Sequence, residues 1–460
     1  MSYLYSDDTI AAISTPPGEG GVGIVRLSGP ASLSIAAKVF VSSRAKNISK
    51  GSQRVYHGHV LDEEGNPLDE VLLHIMRAPH SYTAEDVVEI NGHGGRASLQ
   101  AILECVLAQG ARLAQPGEFT RRAFVNGRID LTRAEAVMDL IHAKTRAALR
   151  MAESASSGRL AGQLQALANL LKECLALAEA AVDFPEEDLP ELITPAFFAR
   201  LEKAKEEMAA LVKSTDTGLL LQEGASIAIV GRPNVGKSSI FNLLLRDARA
   251  IVSPEPGTTR DQIEETLTLG GIPVRLCDTA GLRKTEHAVE SQGIERSRQA
   301  ARRAALLLFV ADASSEAEEE ESLLAEEMRQ LEVPVVFVLN KIDLPAVAER
   351  KIPDIPFAAL CHVSAMTGEG MEELEKTLVS LLAGDLEGAL DSPALFRSHQ
   401  KDSMQRALKC VQALLENRDA SPEILALELR DALSALGSIT GETTSEEVLD
   451  IIFGSFCIGK

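Results

Sequence analysis

The stretch from 225 to 245, ASIAIVGRPNVGKSSIFNLLL, decides the fold because its residue pattern changes halfway along. A short apolar run typical of a buried strand leads into a glycine-bounded loop, and the loop opens into a helical pattern. Gly231 to Ser238 match G-x-x-x-x-G-K-[ST], a loop whose backbone N–H groups wrap around phosphates, whose lysine reaches the β- and γ-phosphates and whose hydroxyl ligates Mg²⁺. The sequence therefore predicts nucleotide contacts, with Lys237 also assigned to catalysis, from Asn234, Val235, Gly236, Lys237, Ser238 and Ser239.

A second segment, DTAG, follows the strand-like run PVRLC. The carboxylate of Asp278 can hold Mg²⁺ through water, and the N–H of Gly281 can sense the γ-phosphate, with Thr279 and Ala280 between them as further contacts. Strands that alternate with helices predict a mostly parallel sheet, which binds its ligand at the carboxyl ends of the strands.

Two more segments specify guanine. The Asp343 carboxylate of NKID can accept hydrogen bonds from N1–H and the 2-amino group of guanine, and such a site rejects a base lacking these donors by about 10⁴–10⁵-fold. Asn340 and Lys341 belong to the same segment, and Ser364-Ala365 are suited to backbone contact with the guanine carbonyl. The four ordered segments resemble the translation-factor-like class of GTPases. We therefore predict a GTPase.

Two groups that usually speed GTP hydrolysis are missing from this pattern. Leu282 stands where Ras-type GTPases have a water-orienting glutamine, and no residue obviously serves as an arginine finger. Asn234 lies inside the phosphate loop, and the later stretch AIVSPEPGTTRD offers several oxygen ligands. We hypothesise that K⁺ replaces the arginine and Mg²⁺ is bound by Ser238 and Thr259, with K⁺ held by Asn234, Ser253, Glu255 and Thr258. The alternative is that Asn234 only stabilises its own turn.

Helical patterns flank the GTPase segment on both sides. One runs over 121–215, and another returns from about 385, where Ser421-Pro422-Glu423 starts a helix that Gly437 is predicted to end. The first 120 residues contain β-rich runs cut by glycine and proline. We predict a multidomain α/β protein with a β-rich α+β domain at 1–120, a helical domain at 121–220 and 385–460, and an inserted P-loop GTPase domain at 221–384. The alternative is two independent helical bundles.

Composition limits the class of protein. The chain of 460 residues has 45% apolar and 25% charged residues, no apolar window long enough to span a membrane, and six scattered cysteines, so we expect a soluble cytoplasmic protein. A net charge of −21 repels RNA overall, so RNA contact needs a local basic patch or a partner protein. Cys457 is fourth from the end, but Gly459 and Lys460 do not suit a prenylation box.

Five segments together resemble the bacterial and organellar MnmE (TrmE) family of tRNA modification GTPases: TPPGEGGVGIVRLSG, PGEFTRRAF, GRPNVGKSS, GTTRD and the terminal FCIGK. The resemblance covers essentially the whole chain. It implies an N-terminal domain that binds a 5-formyltetrahydrofolate or a related one-carbon folate and mediates formation of a homodimer. It also implies that the flavoprotein MnmG is a partner in adding an aminomethyl or carboxymethylaminomethyl group to C5 of the wobble uridine of tRNA.

The resemblance also implies site residues. The folate would be bound by Arg26, Glu89, Arg128 and Lys460, with Glu89 accepting hydrogen bonds from the pterin ring; Arg128 keeps the charge but not the geometry of a lysine. Glu290 would position the attacking water. Cys457 would serve the modification chemistry, and its alternative role is that of a small packed side chain.

Two other classes of GTPase remain as alternatives. A ribosome-assembly GTPase would bind rRNA without base chemistry, and should carry a basic or KH-like RNA module, which the acidic sequence does not contain. A signalling switch would depend on separate exchange and activating proteins, and K⁺-stimulated hydrolysis would argue against it.

Overall fold

In the computed structural model, the described residues are 8–43, 48, 52–183, 192–247, 264–278, 301–302, 304–331, 333–345, 347, 350–353, 355–384, 395 and 397–460. Contacts group them into two compact units. The first contains the N-terminal sheet and the segment Leu433–Lys460, and the second contains a six-stranded sheet with most of the helices. Within these ranges no helix has both the length and the apolar character that crossing a membrane requires.

Seven strands build the N-terminal sheet: β1 Ile10–Ile13, β2 Gly23–Ser28, β3 Phe40–Ser42, β4 Arg54–Leu61, β5 Pro67–Met76, β6 Val87–Gly92 and β7 Arg112–Leu113. Their spatial order is β3-β4-β5-β6-β2-β1-β7, and the neighbours are antiparallel except for β1 and β7. Helices α1 (Ser32–Val39) and α2 (Arg96–Ala108) contribute to the main core of this unit. The β-rich α+β prediction for the N-terminal region is confirmed.

The two faces of this sheet differ because side chains alternate along each strand. On β5, Val71, Leu73 and Ile75 are buried in the main core, whereas Leu72 is exposed. A smaller apolar cluster lies on the other face, at the end next to helix α3 (Glu118–Val125), and consists of Ile10, Ala12, Ala114 and Phe119 with Tyr82 packed against it. This small cluster supports the polar site described below.

Four helices follow α3, as the helical pattern over 121–215 predicts: α4 Leu131–His142, α5 Arg146–Ser156, α6 Arg159–Asp183 and α7 Pro195–Glu223. The Thr145 hydroxyl caps α5 by accepting a hydrogen bond from the N–H of Ala148 at 3.1 Å. Helix α7 ends at Gly224, whose φ of 80° is readily adopted by glycine. The acidic, proline-containing connection between α6 and α7 lies mostly outside the described residues.

The second sheet has six strands: β8 Ala225–Val230, β9 Glu264–Leu269, β10 Ile272–Asp278, β11 Leu306–Asp312, β12 Val335–Asn340 and β13 Ala359–Val363. Their order is β13-β12-β11-β8-β10-β9, with only the β9–β10 pair antiparallel. Every residue of β12 is buried, as expected for a parallel strand covered on both faces. The described helices of this region are α8 Lys237–Asp247, α9 Glu319–Arg329 and α10 Met371–Ala383. The prediction of a mostly parallel P-loop sheet is confirmed.

From residue 397 to the last residue the structure describes three helices: α11 Ser398–Glu416, α12 Pro422–Thr440 and α13 Glu446–Gly454. Helix α11 lies antiparallel to α7, since Lys401 pairs with Asp216 at 2.6 Å near one end and Arg418 pairs with Glu202 at 3.3 Å near the other. Helices before and after the GTPase segment therefore pack together, which opposes the alternative of two independent bundles. The domain boundaries themselves stay predictions.

The predicted end of α12 at Gly437 is wrong, because the helix continues to Thr440. Gly441, with a φ of 94°, follows the last helical residue and adopts the left-handed conformation that ends many helices. Gly437 has a packing role instead: a Cβ atom there would lie 2.9 Å from the side chain of Thr443, where the chain folds back on the helix. Gly437 is therefore a packing residue within the helix and does not mark its end.

Candidate functional site

The phosphate loop connects β8 to α8 in the second unit. Its backbone turns through positive φ at Gly231 (147°), Asn234 (65°) and Gly236 (97°), and asparagine is among the few other residues that tolerate this region. The Lys237 side chain is 6% exposed, and its ammonium group donates to the backbone carbonyl of Arg232 within the same loop. Asn234 is exposed on the loop, and Ser238 and Ser239 are exposed in the first turn of α8. The sequence motif therefore forms the predicted strand–loop–helix.

The Asn340 side chain joins this loop to the two guanine-specific segments. Its Nδ2 donates to the Val235 carbonyl at 2.8 Å, and its Oδ1 accepts from the Ala365 N–H at 2.9 Å. The Ser364 hydroxyl donates to the Asp343 carboxylate at 2.6 Å. The structure thus brings together, at the carboxyl edge of the parallel strands, predicted nucleotide contacts from three separate parts of the chain.

Asp312 also belongs to this edge, but it is not among the residues predicted from the sequence motifs. It ends β11 and accepts from Lys341 Nζ at 2.5 Å and from the Ser314 hydroxyl at 2.6 Å. Burial acts to raise the pKa of Asp312, but the hydrogen bonds from Lys341 and Ser314 outweigh it, and the pKa lies below its usual value. The available signal was its place at the end of an apolar strand beside the Asn340-Lys341 strand.

Most of the predicted metal ligands cannot be located. Asp278 ends β10, next to β8, but its side chain lies outside the description. The following predicted residues lie outside the described residues altogether: Ser253, Glu255, Thr258, Thr259, Thr279, Ala280, Gly281 and Glu290. The K⁺, Mg²⁺ and water-positioning assignments therefore stay predictions.

A second polar site lies in the N-terminal unit, above the small apolar cluster. Arg26 on β2 stands opposite Glu89 on β6, and its Nε donates to the Glu89 carboxylate at 2.8 Å. The Arg26 guanidinium lies 5.6 Å from the ring centre of Tyr82 and 5.7 Å from that of Phe119. Arg128 approaches the same Tyr82 ring at 5.2 Å and donates to the Tyr82 carbonyl at 2.9 Å.

The C-terminal tail enters this site. The Gly459 carbonyl accepts from Arg26 Nη1 at 3.1 Å, and the Lys460 carbonyl accepts from the Phe119 N–H at 3.1 Å. Gly459 has a φ of 92°, and a Cβ atom there would lie 2.5 Å from the Ile13 carbonyl, so glycine allows the tail to approach β1. The four predicted cofactor-binding residues therefore lie in one region, with Glu89 and Lys460 near Arg26 and with Arg128 on the Tyr82 ring that Arg26 also contacts.

The terminal lysine is half-buried in a charged environment. Burial and the nearby Arg26 charge lower the pKa of Lys460, while Glu89 and Cys457 act in the opposite direction. Cys457 is exposed, and its backbone carbonyl accepts from the Gly117 N–H at 3.3 Å. An exposed thiol is not a packed core residue, so this geometry speaks against the alternative role for Cys457.

Two family models match the chain. The model described as the MnmE helical domain matches residues 131–457, and the model described as the GTP-binding protein TrmE N-terminus matches residues 9–128. The chain belongs to the MnmE family of tRNA modification GTPases. The family predicted from the five sequence segments is confirmed, and with it the assignment of the chain as a GTP hydrolase that binds GTP.

Family members match over their full length. The tRNA modification GTPase MnmE of Geobacter sulfurreducens is 44% identical over 462 residues, covering 99% of this chain and 100% of that protein. The tRNA modification GTPase MnmE of Chloroflexus aurantiacus is 46% identical over 459 residues, again covering 99% and 100%. The solved structure of Aquifex aeolicus Era bound to GDP and aluminium fluoride is 24% identical over 40% of this chain and 66% of that chain, with a TM-score of 0.28, too low to carry an argument.

Tyr82 is the residue of the N-terminal site that the family motifs did not reveal. Burial raises the pKa of its phenol, and the hydroxyl shares a 2.8 Å hydrogen bond with the Thr120 hydroxyl. The hydrogen bond therefore holds the ring in place, and the guanidinium groups of both Arg26 and Arg128 contact it. Nothing in the local sequence SYTAED separates it from an ordinary loop tyrosine, because its partners come from distant segments.

Proposed function

We propose that this protein, with the flavoprotein MnmG, uses GTP hydrolysis and a one-carbon folate to add an aminomethyl or carboxymethylaminomethyl group to C5 of the wobble uridine in certain tRNAs. Family membership supports the general activity. One structural observation carries the folate part of the proposal: the tail residues Gly459 and Lys460 lie against Arg26, which pairs with Glu89.

The residues of the N-terminal site suit a folate chemically. A folate combines a flat pterin ring, whose N–H groups need acceptors, with an anionic glutamate. Glu89 offers carboxylate oxygens for the ring N–H groups, and the fixed Tyr82 ring offers an aromatic surface. Arg26, Arg128 and Lys460 supply positive charge for the carboxylates. A bound folate supplies the one-carbon unit, and these side chains bind and orient it, while the exposed Cys457 thiol lies close enough in sequence to take part.

The GTPase site combines phosphate and base recognition. Lys237 and the loop N–H groups would bind the phosphates, and Asp343 with the Ser364-Ala365 backbone would select guanine. Ser238 and Thr259 would ligate Mg²⁺, and the exposed position of Asn234 suits a cation ligand as well as a turn. K⁺ bound there would supply positive charge near the β- and γ-phosphates. We propose that it is bound with the help of Ser253, Glu255 and Thr258.

We also propose a homodimer that binds MnmG and tRNA. With a net charge of −21, the chain does not attract RNA through its overall charge, so the partner protein would supply much of the RNA-binding surface. An acidic chain acting alone on tRNA would require a strong local basic patch instead.

The decisive test is nucleoside analysis of tRNA from a strain lacking this protein. Reintroducing the wild-type chain should restore the modified wobble uridine, and Lys460→Met should restore far less while binding GTP normally. Unchanged wobble-uridine modification in the deletion strain would contradict the proposal and favour the ribosome-assembly alternative.

Two measurements on purified protein separate the parts of the proposal. Calorimetric titration with 5-formyltetrahydrofolate should give an affinity at least about tenfold weaker for Lys460→Met, because a half-buried charge partner is lost. GTP turnover should be faster in K⁺ than in Na⁺ buffer, and equal rates would end the K⁺ hypothesis. The matched control for folate binding is Lys376→Met, which removes an exposed lysine of α10.

A further inference from the structure

A largely buried carboxylate of the second compact unit accepts hydrogen bonds from two other segments of that unit. Asp139, in α4, has a side chain that is 9% exposed. Its Oδ1 accepts from Gln222 Nε2 of α7 at 2.8 Å and from Arg397 Nη2, just before α11, at 2.6 Å. One oxygen atom of α4 therefore contacts two segments that are far from it and from each other in sequence.

The two donors occupy special places in the chain. Gln222 lies in the last turn of α7, and the next strand, β8, leads directly into the phosphate loop. Arg397 is the N-cap residue of α11, the first helix after the GTPase segment in the part of the chain that the structure describes. The chain thus enters the GTPase region beside one donor and leaves it before the other. Gln222 and Arg397, which lie before and after the GTPase segment in sequence, both donate to Asp139.

The turn that connects α7 to β8, next to Gln222, is closely packed. Gly224, between α7 and β8, has a φ of 80°, and a Cβ atom there would lie 2.7 Å from the Pro273 carbonyl of β10. The end of α7 is therefore in close contact with two neighbouring strands that end at the nucleotide site. Because the packing at Gly224 is close, a movement of β8 or β10 is expected to move Gln222 as well.

This polar cluster is incompletely satisfied. Within the described residues, Gln222 Oε1 and Arg397 Nε are buried and have no hydrogen-bond partner. Unpaired buried polar atoms are unfavourable, and in native proteins they call for an explanation such as stored strain. A cavity of about 30 Å³, lined by Asp139, His142, Met151, Gly218, Leu221 and Gln222, adjoins the cluster. The Gln222 amide has an unpaired oxygen, and the adjoining cavity gives it space, so a change in its hydrogen bonds is both favourable and sterically possible.

We propose that Asp139 is a positioning residue that couples the nucleotide state of the GTPase region to the surrounding helices, because it holds Gln222 and Arg397, one on each side of the GTPase segment. A change at the phosphate loop travels along β8 to Gln222, alters its bond to Asp139, and thereby changes how α4, α7 and α11 are held. The proposal needs GTP binding but not the tRNA chemistry, so it can fail independently of the proposed function.

The test uses the reciprocity of coupled sites: if nucleotide state affects the Asp139 cluster, the cluster must affect nucleotide affinity. Affinities for fluorescent GDP and a fluorescent, non-hydrolysable GTP analogue are measured on the full chain. Asp139→Asn keeps the shape, removes the charge, and supplies an N–H₂ group for the unpaired Gln222 oxygen. We expect the ratio of the two affinities to change by at least about fivefold.

The matched control breaks a different contact between the same helices. Asp216→Asn removes the ion pair of α7 with Lys401 of α11, where Asp216 is 72% exposed, and should change the ratio by less than about twofold. Arg397→Lys is a second test variant, since it keeps the charge but loses the planar donor group.

Thermal unfolding identifies which variants fold. For those variants, the ratio of the GDP and GTP-analogue affinities tests whether Asp139 couples the two sites. An altered ratio in folded Asp139→Asn or Arg397→Lys, with an unchanged ratio in Asp216→Asn, supports the coupling. A lower melting temperature with the wild-type ratio would show that Asp139 only stabilises the helices, and would overturn the proposal. A second readout is hydrogen exchange of the α4 amides, whose response to the nucleotide should be lost in Asp139→Asn.

Discussion

Replacing Asn340 by alanine should separate the phosphate loop from the guanine-specific segments. The side chain is 1% exposed and makes two hydrogen bonds of nearly ideal length, 2.8 Å to the Val235 carbonyl and 2.9 Å from the Ala365 N–H. Alanine leaves both backbone groups without this partner. The substitution therefore tests whether one amide side chain holds the two halves of the nucleotide site together.

The expected loss in the free energy of unfolding follows from the two backbone groups that lose their hydrogen-bond partner. Leaving a buried donor or acceptor unpaired costs about 1–3 kcal/mol, more than the net value of a typical hydrogen bond. Two such groups give about 2–4 kcal/mol when the lower half of that range is used, because water can enter the space beside the loop. The same two hydrogen bonds hold the phosphate loop against the guanine-specific segments, so we also expect the affinity for GTP to fall by at least about tenfold.

The assay is urea unfolding of the full chain, with and without GTP, together with a nucleotide titration. Asn340→Asp is informative because it keeps the acceptor for Ala365 but turns an oxygen towards the Val235 carbonyl, and it should be at least as damaging. Asn417→Ala is the control: its amide donates to the Ala413 carbonyl at 3.0 Å in an exposed position. Asn340→Ala with wild-type stability and wild-type GTP affinity would refute the reasoning.

Three further predictions concern other contacts. Arg350→Ala leaves Glu321, 3% exposed, without its two 2.7 Å hydrogen bonds, and should lower the free energy of unfolding by about 3–5 kcal/mol in urea titrations; a loss below about 1 kcal/mol would contradict this. Asp69→Asn should lower the pKa of His93, which the hydrogen bond and charge of Asp69 hold above 6.5, and NMR titration measures it; an unchanged midpoint argues against the contact. Because the folded-state pKa of His93 is the higher one, its stabilising effect is complete below 6.5 and fades as pH rises through the folded-state pKa. Gly459→Ala should weaken folate binding, since its Cβ would lie 2.5 Å from a β1 carbonyl. Calorimetric titration measures the folate affinity, and an affinity equal to that of the wild type would exclude a role for the tail.

The contiguous motifs were predictable because their conformation is local. Gly231 and Gly236 adopt the positive φ values that a phosphate loop needs, and the apolar run before them forms the expected buried strand. A glycine gives a wrong prediction of a helix end when it is required by a contact with a residue outside the local pattern. Gly437 is inside a helix because Thr443 packs against it, and no local pattern carries that information.

The sequence by itself determined the family, the P-loop fold and the residues of the nucleotide motif, since each depends on neighbours in the chain. Only the tertiary structure revealed Tyr82 in contact with two guanidinium groups, Asp312 beside Lys341, and Asp139 hydrogen-bonded to Gln222 and Arg397. These side chains acquire their partners from segments far away in the sequence. Long-range packing, which leaves no periodic or local signal, determines which polar groups are buried together.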